Sequence, residues 1–159
     1  MTEQPEIADA ATEPQTLTQL EETEPDAPLV GIIMGSQSDM DTMQGAHKVL
    51  EEAGIRVEVR VMSAHRDPEQ VAEYCKNARL RGLKVLIAGA GLSAALPGVA
   101  AAHTDLPVIG VPLSSRLSAA GGLDALLSVA QMPPGVPVAC VGLDNAKNAG
   151  HLALRILRA

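Results

Sequence analysis

The densest concentration of reactive side chains in the sequence is Ser63-Ala64-His65-Arg66-Asp67-Pro68. His65 can give and take a proton near neutral pH, which no other side chain in that run does. Arg66 is a fixed cation suited to a phosphate, and Ser63 adds a hydroxyl donor. The plainer reading of His65 is a loop histidine with no chemical role, and its place between a serine and an arginine weighs against that. A second group is Gly35-Ser36-Gln37-Ser38-Asp39. Serine hydroxyls and free helix amides together make an anion cradle, while Asp39 could accept from a ribose hydroxyl pair. The same residues also suit a plain helix cap. A third group, Gly89-Ala90-Gly91-Leu92-Ser93-Ala94-Ala95-Leu96-Pro97-Gly98, offers backbone amides to a flat ligand without side-chain obstruction, or serves only turns and packing.

Other chemistries find no support. The spacing GxxxxGK[ST] is absent, as are GxGxxG and a Gly-x-Ser-x-Gly elbow. His47, His103 and His151 have no Cys, His or carboxylate at metal-ligand spacing, so they read as structural or solvated. Cys75 and Cys140 are far apart and form no CxxC, which leaves no disulfide framework or zinc site and favours a reduced, intracellular setting. The six methionines read as core filler.

These groups need elements to hold them. Leu29–Met34 is a short apolar run ending at Gly35, as a buried parallel strand should be. Asp39 can cap a helix running to about Ala53, with Met40, Met43, Ala46, Val49 and Leu50 at helical spacing. Val57, Val59 and Val61 alternate as a second strand, and Pro68 suits the first turn of a helix running to Gly82. Lys84–Ala88, Pro107–Val111 and Pro137–Val141 read as strands three to five. Between them lie an Ala-rich helical stretch interrupted by Pro97 and a helix over Gly122–Ala130, and a last helix comes after Asp144. Strand alternating with helix predicts a three-layer α/β/α sandwich around a parallel, doubly wound sheet. Ligands of such sheets sit outside the carboxyl ends of the strands, where the three groups above fall.

Composition narrows the partners. The 159 residues are 47% hydrophobic and 19% charged, enough for one compact domain with a sizeable core. Tyr74 is the only aromatic, which argues against a nucleic-acid binder built on base stacking. Net charge is −7, but eight of the 19 acidic residues lie in residues 1–27, which hold no Lys or Arg. The other eleven face twelve basic residues, so the body is nearly neutral and lacks the basic footprint of a duplex binder. Residues 1–27, rich in Glu, Thr, Gln and Pro, read as a disordered acidic tail with a short helix allowed around Leu17–Glu22, and 28–159 as the folded domain. No 18-residue apolar run predicts a membrane span, and no signal-peptide pattern opens the chain, so the expectation is a cytoplasmic protein.

Taken in order, the motifs resemble the PurE family of purine biosynthesis. They are Met34–Asp39, Ser63–Pro68, Ala88–Gly91 with Leu96-Pro97-Gly98, Pro107–Pro112, Gly122–Ser128, Gln131-Met132-Pro133 and Asn148-Ala149. The similarity covers about residues 29–158. It implies a flavodoxin-like sandwich and an N5-carboxyaminoimidazole ribonucleotide mutase activity. That reaction moves a carboxylate from the exocyclic nitrogen to ring carbon C4, with neither metal nor organic cofactor. Matched position by position, His65 is the acid and base. Ser36, Ser63 and Arg66 hold the phosphate, Asp39 the ribose, and the Gly89, Ala90 and Gly91 backbone lines the base and carbon dioxide pocket. The implied partners are the ribonucleotide, carbon dioxide and further copies of the chain, in a homo-octamer. Mutases of the family usually carry a second histidine just before Leu-Pro-Gly, where this chain has Ala95. The direct carboxylase branch also lacks it, but tends to have Lys in the second motif, where this chain has Arg66 and Pro68 as mutases do, and Gln131-Met132-Pro133 is mutase-like too. The balance favours the mutase over a direct carboxylase, and both over a nucleotide-binding module without chemistry.

Overall fold

The computed structural model describes residues 26–159. The helix allowed around Leu17–Glu22 falls outside them. Among these residues five strands form one parallel sheet: β1 (Val30–Met34), β2 (Val57–Val61), β3 (Val85–Gly91), β4 (Val108–Leu113) and β5 (Ala139–Cys140), in the order β2-β1-β3-β4-β5. This is the flavodoxin-like order, and it reverses beside β1, so the crevice between β1 and β3 is the switch point. Every residue of β1 is buried. Its side chains alternate, Ile32 and Met34 packing on one side and Ile33 on the other.

Five helices cover the two faces: α1 (Met40–Glu52), α2 (Pro68–Lys76), α3 (Leu96–Ala102), α4 (Leu123–Ala130) and α5 (Ala146–Arg158). Helices α1 and α5 bury Met43, Ala46, Leu50, Ala149 and Ala153 against Ile32, Ile87 and Ile109. On the other face α2, α3 and α4 bury Val71, Cys75, Ala100 and Val129 against Ile33, Leu86 and Val108. The residues at spacings of three and four that read as helical stripes are the ones that meet the sheet. None of the described helices is long and apolar enough to cross a membrane.

Several boundaries differ from the sequence reading. Asp39 makes no side-chain cap for α1; Ser36 caps a short 3-10 turn, Gln37–Asp39, that leads into it. Helix α2 stops at Lys76, and a separate 3-10 turn covers Arg79–Arg81. Pro97 does not interrupt a helix but opens α3 at its first turn, where a missing N–H costs nothing. Strand β3 runs on to Gly91, so Gly89 and Ala90 are strand residues rather than loop, and β5 shrinks to two residues at the sheet edge.

Beneath the β2 edge lies a half-buried ionic cluster. The Arg81 guanidinium donates to Glu58 Oε1 from Nε at 3.3 Å and from Nη2 at 2.9 Å, and it stacks 4.3 Å over the Tyr74 ring. The Tyr74 hydroxyl donates to the same carboxylate oxygen at 2.8 Å. Burial first, then the Glu58 carboxylate, push the Tyr74 phenol well above its ordinary range.

Candidate active site

The register aligns the carboxyl ends of the central strands, with Met34 paired to Val61 and to Gly89, and Gly91 paired to Leu113. The segments leaving those ends therefore converge on one rim. A cleft of about 530 Å³ opens there, lined by Gly35, Ser36, Ser38 and Asp39 from the first turn and Ser63, Ala64, His65 and Arg66 from the second. The third segment adds Ala90, Gly91, Leu92, Ser93, Ala95 and Leu96, and the end of β4 adds Leu113, Ser114 and Ser115. Three groups more than twenty residues apart in sequence thus share one wall.

The first turn is locked by its own hydrogen bonds. Ser36 Oγ accepts from the Ser38 amide at 3.3 Å and from the Ser38 hydroxyl at 2.9 Å. The Asp39 carboxylate accepts from the Ser36 amide at 3.1 Å, completing a capping box. Oδ2 carries that bond, and among the described residues Oδ1 accepts none. Burial raises the Asp39 carboxyl above the ordinary aspartate value, partly offset by the Ser36 amide. Desolvation disfavours its charge, and a ligand hydroxyl donating to it would restore what water supplied.

The second turn is held from both ends. Ser63 Oγ accepts from the Arg66 amide at 3.3 Å, and Asp67 caps α2 by accepting from the Gln70 amide at 3.2 Å. Ser63 therefore keeps its hydroxyl hydrogen for a ligand. His65 and Arg66 stand exposed on the cleft wall. Among the described residues no side chain hydrogen-bonds the imidazole or the guanidinium, so both are free to meet a ligand.

Of the eight residues singled out from the sequence, seven line the cleft. Gly89 does not; it lies one pleat lower in β3, with its Cα against Met43, and its carbonyl accepts from the Gly35 amide at 3.2 Å. Its contribution is to join the first and third segments.

Sequence reasoning missed Ser114 and Ser115. The signal that could have found them is their position directly after β4, the same position that marks the other groups after β1, β2 and β3. Ser114 is set from the β5–α5 connection, where Asp144 accepts from its amide at 2.8 Å and also from its hydroxyl. Asp144 adopts a left-handed backbone, φ 58°, and returns its own amide to the Pro112 carbonyl at 2.8 Å. Leu92 is left-handed as well, φ 56°, which costs a residue with a Cβ about 1–2 kcal/mol.

A second depression, about 500 Å³, lies at the amino ends of β4 and β5. It is lined mostly by apolar groups such as Ala101, Leu106, Val108 and Ile156, without an imidazole or guanidinium. Among the described residues no cluster of His, Cys, Asp and Glu could hold a metal ion.

Residues 29–159 match the family model described as AIR carboxylase. The chain is 59% identical over 130 residues to the N5-carboxyaminoimidazole ribonucleotide mutase of Pyrococcus horikoshii, covering 82% of this chain and 72% of the relative. It is 56% identical over 134 residues to the protein of the same name from Bacillus subtilis, covering 83% and 82%. The crystal structure of Treponema denticola PurE superposes with a TM-score of 0.72 at 34% identity, over 82% of this chain and 80% of that one. With the sheet order, the cleft and these similarities in agreement, the chain belongs to the AIR carboxylase, or PurE, family.

Proposed function

We propose that this chain is an N5-carboxyaminoimidazole ribonucleotide mutase of purine biosynthesis, with His65 as its acid and base. The observation that supports this most is the convergence of Ser36, Asp39, Ser63, His65 and Arg66 on one cleft. Relatives up to 59% identical carry that activity in their names.

The reaction needs two proton transfers at neighbouring atoms. The bond between the exocyclic nitrogen and the carboxylate breaks, carbon dioxide departs, and the nitrogen takes a proton from the His65 imidazolium. Ring carbon C4, made nucleophilic by the amine, then adds to carbon dioxide. Its hydrogen leaves as a proton to the now neutral His65, which restores the starting state. One imidazole on a short loop can reach both atoms, and imidazole as a group gives and takes protons near neutral pH. Arg66 and the Ser36 and Ser63 hydroxyls hold the phosphate through charge-assisted hydrogen bonds, and Asp39 Oδ1 accepts from the ribose. The Ala90-Gly91 backbone lies beside the base, with carbon dioxide in the space near Ala95 and Leu96. Site completion in a homo-octamer, a cytoplasmic setting and an acidic tail over residues 1–27 outside the catalytic domain 28–159 belong to the same reading.

Ala95, where mutases of the family usually carry histidine, favours a second reading as a direct carboxylase that takes free carbon dioxide. Carbamate substrate labelled in its carboxylate, turned over in unlabelled bicarbonate, separates the two. The mutase retains label in the C-carboxylated product; dilution of the label at the rate of free exchange defeats that assignment.

A further inference from the structure

Among the described residues, Leu92, Ala120 and Asp144 have a left-handed backbone without being glycine. Asp144 recovers the cost through its hydrogen bonds to Ser114. Ala120 carries only a methyl group. Leu92 is the bulky one, and packing inside the protein does not account for it: its side chain is 41% exposed and belongs to neither core cluster. It does line the cleft. The other large apolar lining residues, Leu96 and Leu113, are 2% and 3% exposed and form the floor. Among the described residues, Leu92 is thus the one lining residue with a large apolar side chain left exposed. The turn that presents it is tight, with the Ala94 amide donating to the Leu92 carbonyl at 2.8 Å.

Strain of this kind persists where the side chain it displays is used. We infer that Leu92 is a retention residue, an isobutyl group that covers the mouth of the cleft and keeps carbon dioxide from escaping between decarboxylation and recarboxylation. The inference rests on the mutase reading. Carbon dioxide offers few polar handles, so it is held by exclusion of water and by lack of an exit rather than by strong hydrogen bonds. The neighbouring lining residues Gly91, Ser93 and Ala95 are too small to close the opening.

The test uses carbamate substrate labelled in its carboxylate, with carbonic anhydrase and excess unlabelled bicarbonate to consume any carbon dioxide that escapes. The readout is label lost per product formed, corrected for decay without enzyme. Leu92→Gly and Leu92→Asn, which both accept a left-handed backbone, should raise that ratio by at least about tenfold, equivalent to about 1.4 kcal/mol of lost retention. Leu92→Met should keep it near the wild-type value. Both leaky variants should melt no lower than wild type, because they relieve strain. A rise in KM with no change in the ratio would make Leu92 a mere binding contact and overturn the inference, as would an unchanged ratio in both variants. Failure of the mutase reading shows separately, as a wild-type enzyme that makes no labelled product, and the inference falls with it.

Discussion

Gly35 and Gly91 both line the cleft, yet the structure assigns them different duties, and alanine substitution separates these. A Cβ added at Gly91 would stand 2.9 Å from the Leu113 carbonyl oxygen. That oxygen is backbone, fixed by the register that pairs Gly91 with Leu113, so it cannot rotate aside. Overpacking of this sort costs roughly 1–3 kcal/mol. For a domain of this size that lowers the melting temperature by about 3–5 °C per kcal/mol. A Cβ at Gly35 would meet nothing within 4 Å, and Gly35 has no left-handed backbone. Gly35→Ala should therefore change stability by no more than about 0.5 kcal/mol. Its methyl group would occupy space in the cleft beside Ser36, where the ligand phosphate is proposed to sit. Affinity for the product ribonucleotide should fall by at least about tenfold, or 1.4 kcal/mol. Circular dichroism melts give the stability, since Tyr74 alone makes fluorescence a poor probe, and titration calorimetry gives the affinity. A Gly35→Ala protein that melts as low as Gly91→Ala, or that binds product as well as wild type, would refute this division.

Three further outcomes rest on the burial and pairing of titratable groups. The Asp39 carboxyl is raised by burial, so its contribution to stability is greatest when protonated and is lost as pH rises through the folded value. Asp39→Asn keeps an acceptor for the Ser36 amide and should match or exceed wild-type stability at pH 7, with the gap closing toward pH 4, while weakening ligand binding; urea melts across pH check the sign. Burial pushes the Cys75 thiol up to about 11, against a small opposing pull from Arg81, so it should resist iodoacetamide in the folded protein at pH 8 and react readily in urea. Stability linked to Cys75 is present below pH 9 and lost as pH climbs toward 11, which Cys75→Ala should abolish. Arg81→Ala leaves Glu58, whose side chain is only 16% exposed, with just the longer 3.7 Å pairing to Arg60. It should cost about 2 kcal/mol, below the range for fully buried pairs because Arg81 is 35% exposed, with kcat unchanged.

The layered fold was legible because its strands are short apolar runs and its helices carry single buried stripes. Both are local signals. Errors fell where a boundary depends on hydrogen bonds that sequence spacing does not reveal. Ser36 and Asp39 both suit a cap, and only the direction of the Ser36 amide shows that Asp39 reaches back rather than forward. Pro97 reads from spacing as a break in a helical stretch, whereas it stands in the first turn of α3 and opens it. At the site, the rule that ligands gather at strand carboxyl ends located seven lining residues. It could not show that Gly89 faces Met43, since pleat direction needs the register. Nor could it tie Asp144 to Ser114, thirty residues away. The strain at Leu92 is a backbone angle with no trace in residue type; leucine is a residue that sequence reasoning passes over.

The central claim is that one imidazole carries the proton both ways. His65→Asn tests it most directly, because the amide keeps polarity and rough size but cannot titrate. Turnover of the carbamate should fall by roughly 10²–10⁴-fold, the range for loss of a general acid and base. Product affinity, held by Arg66, Ser36, Ser63 and Asp39, should stay within about threefold, under 1 kcal/mol. An asparagine variant that turns over within tenfold of wild type would contradict the account.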